Sequence, residues 1–317
     1  MTKLLEVTHL KKYFPIRRGI FHSHVGDVKA VDGISFDISP GEIVGLVGES
    51  GSGKSTAGLA VIRLLEPTSG HIHFMGHDLV SLNAKQLRAL RPSVQMIFQN
   101  PLVSLNPRKT IFENIGEALL YHRFAKNREQ QVAQVQEILQ KIGLPLTALS
   151  QYPHQFSGGQ QQRISIGRAI AMHPKLIICD EAVSALDLSV QAQILNLLYD
   201  LKQTFKLSYL FISHDLSVVQ NFCDRVLVMY RGKIVERGEV REIFKNPKHP
   251  YTQMLFAAIP KKHPQEKRSI LPVQVFADTT SPGCPFFGRC SVAKPACEQF
   301  SPPLKELASS HSYSCIH

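Results

Sequence analysis

Long apolar runs are missing from this 317-residue chain. None reaches the eighteen or so residues that a bilayer-spanning helix needs, so any service to a membrane is expected from a peripheral subunit. An export signal is missing too. Residues Met1 to Leu10 alternate like a strand and carry Glu6 where a signal peptide is apolar, so the protein is expected to stay where it is made. Basic clusters are also absent. The formal charge is +11, which would suit nucleic acid, yet Lys and Arg are scattered, with no run of five and no recognition-helix pattern. A polyphosphate ligand or an anionic membrane face suits a basic protein equally well. Cysteine is scarce, six residues in all, and segregated. Cys179 and Cys223 lie inside apolar stretches and read as core residues. Cys284, Cys290, Cys297 and Cys315 gather at the end and suggest a separate small module.

What is present describes an ordinary soluble protein, with 44% hydrophobic and 19% charged residues. Three short apolar runs, Val44–Val47, Leu176–Cys179 and Tyr209–Ile212, each end in polar residues and are separated by amphipathic stretches. That order predicts an α/β fold with a largely parallel sheet flanked by helices. In such sheets ligands bind beyond the carboxyl ends of the strands, so the three polar clusters are expected at one site. Residues of about 100–160 break the pattern and predict an inserted helical subdomain. Within it, Asn127 to Ile142 reads as a helix with Val132, Val135, Ile138, Leu139 and Ile142 on one stripe. Past Ile259 the text turns polar and proline-bearing. This divides the chain into 1–259 and a linker with the Cys-rich module over 260–317.

Gly48-Glu-Ser-Gly-Ser-Gly-Lys-Ser-Thr56 matches G-x-x-x-x-G-K-[ST] in full, with a buried strand before it and a helix, from about Lys54 to Leu65, after it. Gly48, Ser50, Gly51 and Gly53 let backbone N–H groups turn inward around phosphate oxygens, and the helix N-terminus carrying Thr56 adds its positive end. Lys54 is expected to reach the β- and γ-phosphates and the Ser55 hydroxyl to ligate magnesium. The chain therefore binds a nucleoside triphosphate. Asp180, after four apolar residues, is placed to hold magnesium through water, and Glu181 to polarise an attacking water. Positioning and electrostatics carry such hydrolysis, so the site must be fully assembled to work.

Phe156-Ser-Gly-Gly-Gln-Gln-Gln-Arg163 has the form of a capped helix start with Ser157 as N-cap, itself able to bind an anion. It also resembles the signature sequence of the ABC ATPases. The resemblance covers about residues 1 to 260 and implies an ABC-type P-loop NTPase core with an antiparallel β region and the inserted helical subdomain. It implies ATP and Mg2+ as ligands. It also implies that Ser157, Gly158, Gly159 and Gln160 contact the γ-phosphate of ATP held by an opposite subunit. By the same resemblance Gln99 is the Q-loop glutamine that senses magnesium and water, Ser184-Ala-Leu-Asp187 the D-loop at the dimer interface, and His214 the switch histidine. Phe14 takes the adenine-stacking position, with Tyr13 as its fallback. Two chains would then sandwich two nucleotides.

Four stretches look like the peptide-importer branch, which also includes nickel and glutathione importers. They are Pro15–Asp27, Phe98–Pro107, Ser184–Gln193 and His249–Thr252. The first favours the "F" type of the two paralogous ATPases of dipeptide and oligopeptide importers. The resemblance implies work at the cytoplasmic side of a bacterial cytoplasmic membrane, with a paralogous ABC ATPase, two integral permeases and an extracytoplasmic peptide-binding protein, and no nucleic acid. The other reading is a non-transport ABC ATPase acting on nucleic acid or ribosomes, which usually carries two cassettes in one chain where this one has a single signature sequence. The late cysteines read C-x5-C-x6-C-x17-C. Without an export signal, four thiols this close point to a metal centre rather than disulfides. Zinc or a 4Fe–4S cluster accepts four cysteines, and the resemblance to cluster-bearing members of the branch favours iron.

Overall fold

In the computed structural model the described residues are 3–18, 23–257, 283–308 and 311–317. The linker expected from residue 260, and residues 19–22 of the Pro15–Asp27 segment, lie outside them. The chain forms two compact units. One comprises Met1–Leu5, Ile38–Ile43 and Phe74–Ile212, the other Glu6–Asp37, Val44–His73 and Ser213–His317. Among the described residues no helix is long and apolar enough to cross a membrane.

The first unit is built on the parallel strands Val94–Ile97, Leu176–Asp180 and Ser208–Ser213. Ile97 lies opposite Cys179, and Asp180 lies opposite Ile212. Leu176 to Cys179 is apolar and wholly buried, as a parallel strand covered on both faces must be. This register carries the residues after Ile97 and after Cys179 to the same carboxyl edge.

Helices Ile111–Tyr121, Arg128–Lys141, Gly158–Ile170 and Leu188–Phe205 belong to the same unit. The expected helix at Asn127 to Ile142 is Arg128–Lys141, with Asn127 as its N-cap, accepting a hydrogen bond from Gln130 N, and Ile142 as its C-cap. Val135, Ile138, Leu139 and Ile142 are buried as the stripe requires. Val132 is only half-buried, and Gln131 takes the buried place beside it. The Gln131 amide can go inside because its oxygen accepts from Arg128 Nη1 at 3.1 Å, which repays its lost hydration.

In the second unit, strands Ser23–Ile38, Leu5–Arg18 and Ser69–Phe74 lie side by side in that order. A second group begins with strand Ile43–Val47, all buried, paired in parallel with Arg225–Tyr230. Lys233–Glu239 follows antiparallel, and His311–Tyr313 and Lys305–Ala308 continue the antiparallel run. The late cysteine segment thus adds its strands to the group that carries the phosphate loop. Helix Lys54–Val61 follows that loop. It stops short of the expected Leu65 because Arg63 adopts a left-handed φ of 51°.

Candidate functional site

The phosphate loop leaves strand Ile43–Val47 through Gly48, whose φ is 155°. A Cβ there would stand 2.2 Å from the Met229 carbonyl oxygen, so the close approach of two backbones excludes any other residue. Gly53, at φ 102°, is the N-cap of helix Lys54–Val61, whose first turn holds no acidic residue. The positive end of that helix is therefore not neutralised by its own side chains. Lys54 is buried, and its Nζ donates to the carbonyls of Gly48 (2.8 Å) and Glu49 (2.9 Å). Ser52 Oγ is also buried and has no hydrogen-bond partner. A buried cation, an orphaned hydroxyl and a glycine cradle fit a polyphosphate. Ser50, Gly51 and Ser55 are exposed on the same loop, and Thr56 is half-buried.

The Tyr13 hydroxyl is tied to Asp32 and its pKa is pushed up to about 12, by burial first and then by that carboxylate. Phe14 is exposed, with Lys12 Nζ 5.1 Å from its ring centre. Tyr13 is thus tethered while Phe14 is open to stacking. His214 is exposed just past strand Ser208–Ser213. Its neighbour Asp215 caps helix Leu216–Phe222 by accepting from Ser217 N and Val218 N.

Within the first unit, Asp180 ends its strand and Glu181 follows in a left-handed conformation, φ 48°. Gln99 Nε2 donates to Glu181 Oε2 at 3.2 Å and to Ser184 Oγ at 3.3 Å, and Ser184 Oγ donates to the Glu181 carbonyl at 3.0 Å. Gln99 and Glu181, 82 positions apart, are therefore brought together, and Ser184 completes the set. Sequence reasoning passed over Ser184 as a partner, although it quoted the residue as part of the D-loop.

Ser157 and Gln160 form a reciprocal capping box on helix Gly158–Ile170. Asp187 caps helix Leu188–Phe205, accepting from Val190 N at 2.9 Å and Ser189 Oγ at 2.8 Å. The Val190 N–H, foremost, holds the Asp187 carboxyl below its ordinary value. Gly159 joins these two elements, because a Cβ there would meet Val190 Cγ1 at 2.5 Å.

The late cysteines depart from expectation. None of the six cysteines is in a disulfide, but among the described residues no group of three or more His, Cys, Asp or Glu is arranged to hold a metal ion. Cys284 N donates to the Cys297 carbonyl at 2.8 Å, so backbone pairing joins those two. The Cys284 thiol is pushed up to about 11, by burial first, with the neighbouring cysteines adding to it.

The family profile described as ABC transporter matches residues 31–184, and the one described as oligopeptide/dipeptide transporter, C-terminal region, matches residues 235–297. The chain is 50% identical over 318 residues to the oligopeptide transport ATP-binding protein AppF of Bacillus subtilis, covering 98% of this chain and 96% of that protein. The chain belongs to the ABC transporter family, among its oligopeptide transport ATP-binding proteins. OppF of Escherichia coli, another oligopeptide transport ATP-binding protein of the family, is 45% identical over 320 residues, covering 99% and 96%. The ABC core is also similar in fold to solved structures. The ATP-binding cassette MJ0796, a dimer bound to ADP and Pi in a post-hydrolysis state, gives a TM-score of 0.67 at 27% identity, covering 75% of this chain and 99% of that one. The cbiO1 subunit from Clostridium perfringens gives 0.66 at 25% identity, covering 78% and 92%.

Proposed function

We propose that this chain is the ATP-hydrolysing subunit that energises import of di- and oligopeptides through an ABC transporter. The observation that carries the reading is the near full-length likeness, because it spans the ATPase motifs and the C-terminal region of peptide transporters alike. In this reading Lys54 and the N–H groups of Gly48, Ser50, Gly51, Gly53, Ser55 and Thr56 bind the ATP phosphates, with Phe14 against the adenine. Ser55, Asp180 and Gln99 hold Mg2+, whose charge offsets that developing on the phosphoryl group. Glu181 polarises the water, and His214 faces the γ-phosphate. Ser157, Gly158, Gly159, Gln160 and Asp187 serve the nucleotide of the opposing subunit. That subunit is a paralogous ATPase, and both dock on two permeases served by an external peptide-binding protein at the cytoplasmic side of a bacterial membrane. Residues 1–259 form the ATPase domain, and 260–317 the linker and Cys-rich segment.

A finer reading assigns Cys284, Cys290, Cys297 and Cys315 to a 4Fe–4S cluster, with Zn2+ as the other candidate. It draws support from the donor set alone: four free thiols whose proximity is felt at Cys284. The thiols as placed do not form the centre, so no step of hydrolysis runs through it.

The test is uptake of labelled short peptides by the assembled transporter with its binding protein. ATP-driven uptake is expected from the wild type, and Glu181→Gln should retain ATP binding while losing nearly all turnover. Normal turnover in that variant would sink the mechanism, and uptake of nickel or glutathione in place of peptides would sink the substrate. The same preparation, purified without oxygen, should carry about four irons per chain by metal analysis. Stoichiometric zinc without iron would overturn the cluster.

A further inference from the structure

Glu49, the second residue of the phosphate loop, is held by the late cysteine segment. Arg289 Nη1 and Nη2 donate to Glu49 Oε2 and Oε1 at 2.6 and 2.8 Å, a two-point guanidinium–carboxylate fork. Arg289 closes the short helical turn Phe287–Arg289, just before Cys290. Its guanidinium lies 5.8 Å from the ring centres of both Tyr230 and Phe286. Those rings pack edge-on at 5.3 Å, and Tyr251 joins them at 4.5 Å from Tyr230 and 5.4 Å from Phe286. The same Tyr251 takes a second hold on the loop, since its hydroxyl accepts from Glu49 N at 2.9 Å. The Glu49 carbonyl in turn accepts from Lys54 Nζ.

We propose that Arg289 is a positioning residue for nucleotide binding, neutralising and orienting Glu49 so that the phosphate loop receives a polyanion. The inference rests on the ATPase reading. Glu49 puts a negative charge into a loop whose ligand is negative. Its carboxylate would repel the phosphates unless a fixed cation covers it, and a planar fork backed by three aromatic rings fixes one. A further consequence is that the phosphate loop depends on residues some 240 positions later, so nucleotide affinity reports on how the cysteine segment is folded.

The experiment measures MgATP binding by the full-length chain, and ATPase activity in the assembled transporter, for Arg289→Ala, Arg289→Lys, Glu49→Gln and the double variant Arg289→Ala/Glu49→Gln. Arg289→Ala is expected to weaken ATP binding about tenfold and to raise KM by the same factor, with kcat at saturation retained. Arg289→Lys, which keeps the charge without the fork, should recover part of the loss. The double variant should recover most of it, because no uncovered charge remains. The defect should also shrink as salt rises. Arg289→Ala binding ATP as tightly as wild type overturns the clamp. So does a double variant no better than Arg289→Ala, or a loss of kcat and melting temperature together, which marks a packing role. A wild-type chain that binds no ATP would instead sink the ATPase reading, and the clamp with it.

Discussion

Glu181 pays for its place with backbone strain. A left-handed φ on a residue with a Cβ costs on the order of 1–2 kcal/mol, and the structure holds it there by the Glu181 N–H bond to the Ile212 carbonyl at 3.0 Å. Gln99 and Ser184 then fix the side chain and the carbonyl that follow the strained bond. Ser184 acts through Glu181 rather than on a ligand, so its loss should be read in turnover. Ser184→Ala removes bonds worth about 1.4 kcal/mol net, which predicts a kcat about tenfold lower at unchanged KM for ATP in the assembled transporter. A raised KM with intact kcat would show that Ser184 does something else. At this scale the motif residues were legible because each belongs to a spacing with a chemical reason. Ser184 and Arg289 were not, since their roles are set by partners that only folding brings near, and no local pattern marks a residue for a partner 85 or 240 positions away.

Among the elements, the signature helix Gly158–Ile170 and the D-loop helix Leu188–Phe205 meet where Gly159 faces Val190. The sequence shows both caps, because Ser157 and Asp187 are residues whose side chains accept N–H bonds at a helix start. It does not show that Gly159 sits where two helix starts come into contact. Val190 is β-branched and stiff, so it yields little room. Gly159→Ala should therefore push the two starts apart and lower ATPase activity of the transporter about tenfold, the cost of modest overpacking. Val190→Ala in the same chain should restore most of the activity. If the second substitution brings nothing back, the glycine serves the ligand alone. Periodicity likewise found the helix Arg128–Lys141 but put Val132 inside where Gln131 is buried. Hydrophobic pattern cannot foresee an amide whose partner, Arg128 one turn earlier, makes burial affordable.

Stability of the molecule as a whole is tied to pH through a network around Glu236. That carboxylate is wholly buried on strand Lys233–Glu239 and accepts from Lys248 N, His249 N and His311 Nε2 at 2.8, 2.9 and 2.7 Å. It binds together the start of helix Pro250–Ala257 and the late strand His311–Tyr313, two segments that the sequence had suggested lay on either side of a domain boundary. A buried acid inside a strand carries no motif, so nothing in the sequence announces this link between the two segments. His249 is the member whose pKa burial moves. Its Nδ1 accepts from Tyr251 N at 3.1 Å, which requires an uncharged ring nitrogen at that position. Burial lowers its pKa from 6.5 to about 4. As pH falls, the unfolded chain takes the proton first, so the contribution is fully present above about pH 6.5 and drains away between there and pH 4. A lowering of that size is worth on the order of 3 kcal/mol. His249→Asn, whose side-chain oxygen can accept the same bond without titrating, should lose markedly less stability than the wild type when urea unfolding is compared at pH 7.5 and pH 4. Other carboxylates and histidines impose a slope common to both proteins, so the gap between the two curves is the quantity to read. Parallel curves would mean that His249 is not the group through which acid loosens the fold, and a difference that shifts in the variant's favour toward acid would mean that it is.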